Sequence, residues 1–222
     1  MATADRGFPA YTATERSADL VVHLIGLPAA ITSVAWLVAT VWPASSLEQA
    51  ASALVYGAGL IGMVAASAAY HLAPPGPAKA RLRRLDHAMI FVMIAGTYTP
   101  FLLNALAPGL GVPLCVLVWA LAAAGVGLKL AWHQRVERAS LALYLGMGWL
   151  LLLVIRPILA ALPADVLALL LAGGVIYSLG SLVHARCQHV PFHNAIWHAM
   201  VLAAATLHFA AVARVLLAPA TA

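Results

Sequence analysis

Charge is what this chain has least of. Lys, Arg, Asp and Glu make up 9% of its 222 residues, and only seven residues are acidic, while 64% are hydrophobic and the mean hydropathy is +0.96. That is far more apolar surface than a soluble fold of this length can bury, so a soluble domain is excluded. Strict alternation of apolar and polar residues is also missing. Long unbroken runs of Leu, Ala and Val exclude a transmembrane barrel and leave helices, whose backbone amides pair within their own segment. Cysteine is nearly absent: Cys115 and Cys187 fall on segments expected at opposite membrane faces and are not expected to pair. The chain has no tandem repeat or low-complexity tract, and no span carries a polar stripe or ring of acids, which argues against a built-in ion pore.

What remains is a set of apolar runs near 20–42, 50–72, 87–106, 111–131, 139–161, 164–184 and 194–217. Each has roughly the 20 residues that an apolar core of about 30 Å requires. The expected fold is therefore all-α: a polytopic membrane protein with seven transmembrane helices. Residues 1–19 are read as a polar amino-terminal segment, 20–217 as the transmembrane domain and 218–222 as a short extracytoplasmic tail. The first apolar run is too long for a signal-peptide core and reads as a retained helix.

Basic residues set the expected orientation, because positively charged loops stay in the cytoplasm. Arg6, Arg16, Lys79, Arg81, Arg83, Arg84, Lys129, Arg135, Arg138 and Arg186 lie on the side of the amino terminus, against only Arg156 and Arg214 on the other. The amino terminus is thus expected in the cytoplasm. The net charge of +5 reads as a topology signal that also attracts anionic lipid headgroups, with no need for nucleic acid.

Few groups in this apolar chain can do chemistry. Ser67 and His71 end the second span, Asp86 opens the third, and His193 and His198 open the seventh, so all are expected at one depth near the cytoplasmic face. Ser67 and His71, four apart on a helix, point within about 40° of each other. An imidazole can ligate zinc while an acceptor holds its other N–H, and Asp86 could hold such a histidine or a metal-bound water. Asp86 carries the most weight, since a carboxylate at a bilayer boundary costs a few kcal/mol unless paired or hydrated. Its bland reading is neutralisation by Arg83 and Arg84. His23 and His87 could support the metal ligands from behind, but read first as interfacial hydrogen-bonding groups. His208, about 15 Å deeper than His198, reads as a packing or cavity residue.

The segments SAAYH (67–71), RLDHAMIFVMIAGTYTPFLL (84–103), YLGMGWL (144–150), GGVIYSLG (173–180) and NAIWHAMVLAAATLHF (194–209), with Glu15, Asp19, His23 and Gly26 of the first span, resemble the bacterial hemolysin III family. That family is related to the progestin and adipoQ receptors. The resemblance implies a bacterial inner-membrane protein with zinc bound near the cytoplasmic face by His71, His198 and a further histidine four residues before it, with Asp86 holding the zinc-bound water and Ser67 nearby. Where the family pattern has that further histidine, this chain has Asn194, with His193 one residue earlier. On a regular helix His193 and His198 diverge by about 140°, whereas Asn194 and His198 differ by about 40°. Either His193 joins through an irregular helix start or Asn194 offers its amide oxygen, a poorer zinc ligand.

The functional expectation is a zinc-dependent hydrolase of a lipid amide or ester, with Asp86 and Ser67 catalytic and membrane lipids as partners. The alternatives are a pore-forming or cytolytic protein, as the family name suggests, and a non-catalytic sensor of membrane lipid state.

Overall fold

A computed structural model describes residues 11–132 and 137–218. Arg6 and Arg135, which enter the orientation argument, and all but the first residue of the 218–222 tail lie outside the described residues. The described residues form helices α1 (Ala13–Val41), α2 (Leu47–Leu72), α3 (Pro77–Asn104), α4 (Pro108–Trp132), α5 (Glu137–Gly148), α6 (Ile155–Ala161), α7 (Ala164–Arg186) and α8 (His193–Leu216), with no strand among them. Helices α5 and α6 are joined by a 3-10 turn, Leu150–Val154, and together make one crossing. Seven helices are thus long and apolar enough to cross a membrane.

Helices α1 and α2 start ahead of their apolar runs because capping boxes hold their first turns. Thr12 accepts from Glu15 N–H while the Glu15 carboxylate accepts from Thr12 N–H, and Ser46 and Gln49 make the same reciprocal pair at the start of α2. The first of these boxes starts α1 at Ala13, so Glu15 and Asp19 belong to the helix. At the head of α3, Pro77 occupies the first turn and Gly76 takes φ 148°, a backbone conformation that a side chain would strain.

In hydrocarbon there is no hydrophobic force between helices, so close backbone packing and internal hydrogen bonds must hold the bundle. Helices α2 and α3 approach through glycine: a Cβ at Gly59 would lie 3.6 Å from the Met93 Cα, and one at Gly96 3.5 Å from the Val55 carbonyl oxygen. Tyr56, Phe91 and Phe101 fill the interior, and leucines such as Leu24 and Leu153 face outward. The break after α5 frees backbone groups, and Tyr98 satisfies them. Its hydroxyl hydrogen is shared between the Met147 and Gly148 carbonyls at 2.8 and 3.0 Å, and its oxygen accepts from Leu151 N–H at 3.2 Å. Cys115 and Cys187 are both free thiols.

The bundle places the start of α1, the end of α2 and the starts of α3 and α8 at one end, with α8 packed on α1, α2, α3 and α7. At the opposite end Arg214 pairs with Asp165.

Not every glycine in the sequence marks close packing. A Cβ at Gly125 would fall 2.5 Å from the ring of the fully buried Phe91, while one at Gly127, two residues on in α4, meets nothing within 4 Å. Gly125→Ala is therefore expected to destabilise the bundle by about 1–3 kcal/mol through overpacking. Gly127→Ala should leave the thermal midpoint of the purified protein unchanged or slightly higher, as scanning calorimetry would show.

Candidate metal centre and its cavity

Glu15, Asp19 and His23 are each four residues apart, so they line one face of α1. Each of them holds another element. The Glu15 carboxylate accepts from Phe192 N–H at 3.0 Å, and Phe192 is the residue that precedes α8, in left-handed conformation with φ 61°. A bulky residue with positive φ costs about 1–3 kcal/mol of local strain, which this contact helps to fix in place. One turn deeper, Asp19 Oδ1 accepts from His198 Nδ1 at 2.5 Å, and its Oδ2 lies 3.3 Å from His71 Nδ1. One further turn on, His23 Nε2 lies 3.2 Å from the Ser67 hydroxyl.

These contacts orient the rings of His23 and His198. The Asp19 carbonyl can only accept, so at 2.8 Å it takes the Nδ1 hydrogen of His23. Neutral His23 then presents Nε2 to Ser67 as a lone pair. His198 likewise gives its Nδ1 hydrogen to Asp19 and turns Nε2 towards Ser67, at 3.5 Å. Asp86 stands within hydrogen-bonding reach of the same hydroxyl. Ser67 thus stands among two imidazole nitrogens and a carboxylate, an arrangement suited to a cation. The rings of His71 and His198 meet edge to face with centroids 4.5 Å apart, and that of His23 lies 4.7 Å from His198.

Among the described residues one group can hold a metal ion: Asp19, His71 and His198, each offering a donor atom within 4.8 Å of the other two. Two imidazoles and a carboxylate are a donor set suited to a zinc site with an open position. Donors on one tetrahedral zinc are about 3.4 Å apart, given bonds near 2.1 Å. The Asp19–His71 separation already matches that spacing, whereas the Asp19–His198 contact is a hydrogen bond that direct coordination by Asp19 would open. The same carboxylate can equally stay where it is and hold the histidine N–H groups, as acidic residues beside metal ligands commonly do.

Ser67, His71, Asp86, Asn194 and His198 all line one cavity. His193 also lines it but lies outside the metal-ligating group: its Nδ1 is 3.1 Å from the Val190 carbonyl and its ring centroid 5.7 Å from that of Tyr11. Helix α8 is regular from His193 onward, so Asn194 takes the position beside His198. Its Nδ2 lies 3.3 Å from His71 Nδ1 and 3.5 Å from His198 Nδ1, and it is 5% exposed. Sequence reasoning missed Asp19, because it stands before the apolar run and reads as part of a polar terminal segment. The four-residue ladder of Glu15, Asp19 and His23 was the available signal.

The cavity has a volume of about 1420 Å³. Its wall joins the polar cluster to the apolar side chains of Met63, Ile90, Ile94 and Val201 and to Tyr177 and His208, with Thr97, Lys129, Ser140 and Ser181 also lining it. At the cluster end Tyr11 stands ahead of α1, outside the spans; burial above all, with Tyr70 and the nearby Asp19 and Glu15, pushes its hydroxyl up to about 12, so it stays a neutral phenol.

The chain matches known proteins over most of its length. Residues 11–209 match the family model described as haemolysin-III related. A protein of Bacillus subtilis named hemolysin-3 homolog is 34% identical over 199 residues, covering 90% of this chain and 93% of that protein. Hemolysin-3 of Bacillus cereus is 35% identical over 198 residues, 88% of this chain and 89% of its own. The human monocyte to macrophage differentiation factor is 31% identical over 169 residues, 72% of this chain and 68% of its own. No solved structure matches.

If Asp19 serves the metal in either way, Asp19→Ala should weaken zinc affinity by about ten- to a hundredfold. Asn194→His, which adds an imidazole one turn from His198, should strengthen it. Competition titrations with a chromophoric chelator measure both.

Proposed function

Because the chain belongs to the haemolysin-III-related family of multi-pass membrane proteins and joins a metal-ligating group to a long apolar cavity, we propose that it is a zinc-dependent hydrolase of an amide or ester bond in a membrane lipid. The observation that carries this reading is the continuity of the cavity. Its lining joins imidazoles and a carboxylate to aliphatic side chains such as Met63, Ile90, Ile94 and Val201, as a lipid with a reactive carbonyl beside its headgroup requires.

His71 and His198 would hold the ion, with Asp19 as ligand or anchor and Asn194, rather than His193, beside them. When bound, zinc supplies Lewis acidity, polarising an acyl carbonyl and making a water molecule easier to deprotonate. Asp86 takes a proton from the attacking water and returns it to the departing nitrogen or oxygen. Ser67 turns its hydroxyl hydrogen from His23 to the negative charge that builds on the acyl oxygen. The apolar wall holds the chain in line and keeps bulk water away from the carbonyl. The excess of basic residues at this end of the bundle supports a site at the cytoplasmic face of a bacterial inner membrane, where those residues draw in anionic headgroups.

Elemental analysis of purified, never-chelated protein should find near-stoichiometric zinc, and incubation with defined lipids should release fatty acid. Asp86→Asn should lower the rate by about 10²–10⁴ with the metal retained, and Ser67→Ala by about 10²–10³. Metal-free protein, indifferent to both substitutions, would eliminate the mechanism. Lipid retained without product would favour a sensor, and dye leakage from liposomes a pore.

A further inference from the structure

We propose that the inner end of the cavity is a second recognition site, for a hydroxyl group carried on the far end of the bound acyl chain. This rests on the reading that the cavity holds a lipid chain. His198 and His208 are ten residues apart on α8, so the inner end lies about 15 Å deeper than the metal-ligating group.

Most polar groups there are already engaged. Trp149 Nε1 donates to the Ser178 hydroxyl at 3.0 Å, Ser178 donates to the Gly174 carbonyl at 2.7 Å, and Tyr98 is taken up by the backbone of the broken crossing. Two groups differ. The Tyr177 hydroxyl is buried and makes no hydrogen bond. His208 Nε2 lies 3.2 Å from the Leu170 carbonyl, which can only accept, so Nε2 carries the hydrogen and Nδ1 keeps its lone pair.

The two rings sit with centroids 5.4 Å apart, and both line the cavity. Gly173 makes the arrangement possible, because a Cβ there would strike the His208 ring. A donor lacking an acceptor next to an acceptor lacking a donor is the complement of a hydroxyl, which offers one of each. Met63, Ile90, Ile94 and Val201 give the same cavity an aliphatic stretch of wall. The matching ligand is an amphiphile with a polar head, an apolar body of about 15 Å and a hydroxyl at its end, in short a terminally hydroxylated medium-length acyl chain.

The test compares a medium-chain fatty acid with its terminally hydroxylated counterpart, by calorimetric titration into the full-length protein in lipid nanodiscs. The wild type should bind the hydroxylated chain about ten- to a hundredfold more tightly, the yield of two added neutral hydrogen bonds. Tyr177→Phe should cut that preference by about three- to tenfold, the share of the bond Tyr177 donates, while binding the plain chain as before. Its thermal midpoint without ligand should be no lower than wild type, since the deleted group had no partner. Equal affinities in the wild type, or a preference that is undiminished in Tyr177→Phe, would overturn the inference while leaving a lipid cavity in place. Binding of neither chain would overturn both. Because the assay reads affinity and no turnover, its outcome is independent of whether the protein hydrolyses lipids.

Discussion

One buried carboxylate organises the functional end of this protein. Asp19 is 7% exposed and touches His198 through one oxygen and His71 and His23 through the other, at 2.5, 3.3 and 3.8 Å. A carboxylate at that depth is tolerable only because hydrogen-bond donors surround it. The same contacts tie α1 to its neighbour α2 and to the distant α8, and they leave Nε2 of His23 and of His198 facing Ser67. Removing that one group would leave three histidines without a common anchor.

The second constraint is the lack of water along the spans. Every freed backbone group must find a partner inside the protein, and Tyr98 does this where the fifth crossing breaks. Polar side chains face the same demand, and most meet it on a carbonyl one turn back, as Thr97 and Thr99 do. Against that background an unpartnered hydroxyl on a residue that lines the cavity stands out, and of the two unpartnered tyrosines among the described residues, Tyr56 and Tyr177, only Tyr177 lines it. That is why Tyr177 points to a ligand, whereas the equally polar Ser178, already paired, does not.

Particular residues show how far pattern alone could reach. Seven apolar runs predict seven crossings because burial in hydrocarbon leaves a composition signature that needs no partner to be read. Helix boundaries were less legible. Capping residues Thr12 and Ser46 and the proline at 77 extend helices beyond the apolar stretch, and only the extension of α1 makes Asp19 a helical residue facing the site. At the start of α8, helical geometry anticipated that Asn194, four residues before His198, would share its face. Asp19 escaped because its meaning depends on the imidazoles it meets from α2 and α8.

By itself the sequence determined an all-helical, sevenfold membrane crossing, the family, and a short roster of polar residues, since hydropathy, local periodicity and motif order are properties of the chain alone. Only the tertiary structure decided which of those residues meet. That Asp19 bridges His71 and His198, that His193 turns to Val190 and Tyr11, and that one cavity joins this cluster to Tyr177 and His208 are consequences of how α1, α2, α3, α7 and α8 pack. Distances between side chains on separate helices are fixed by packing in three dimensions, which no spacing along the chain encodes.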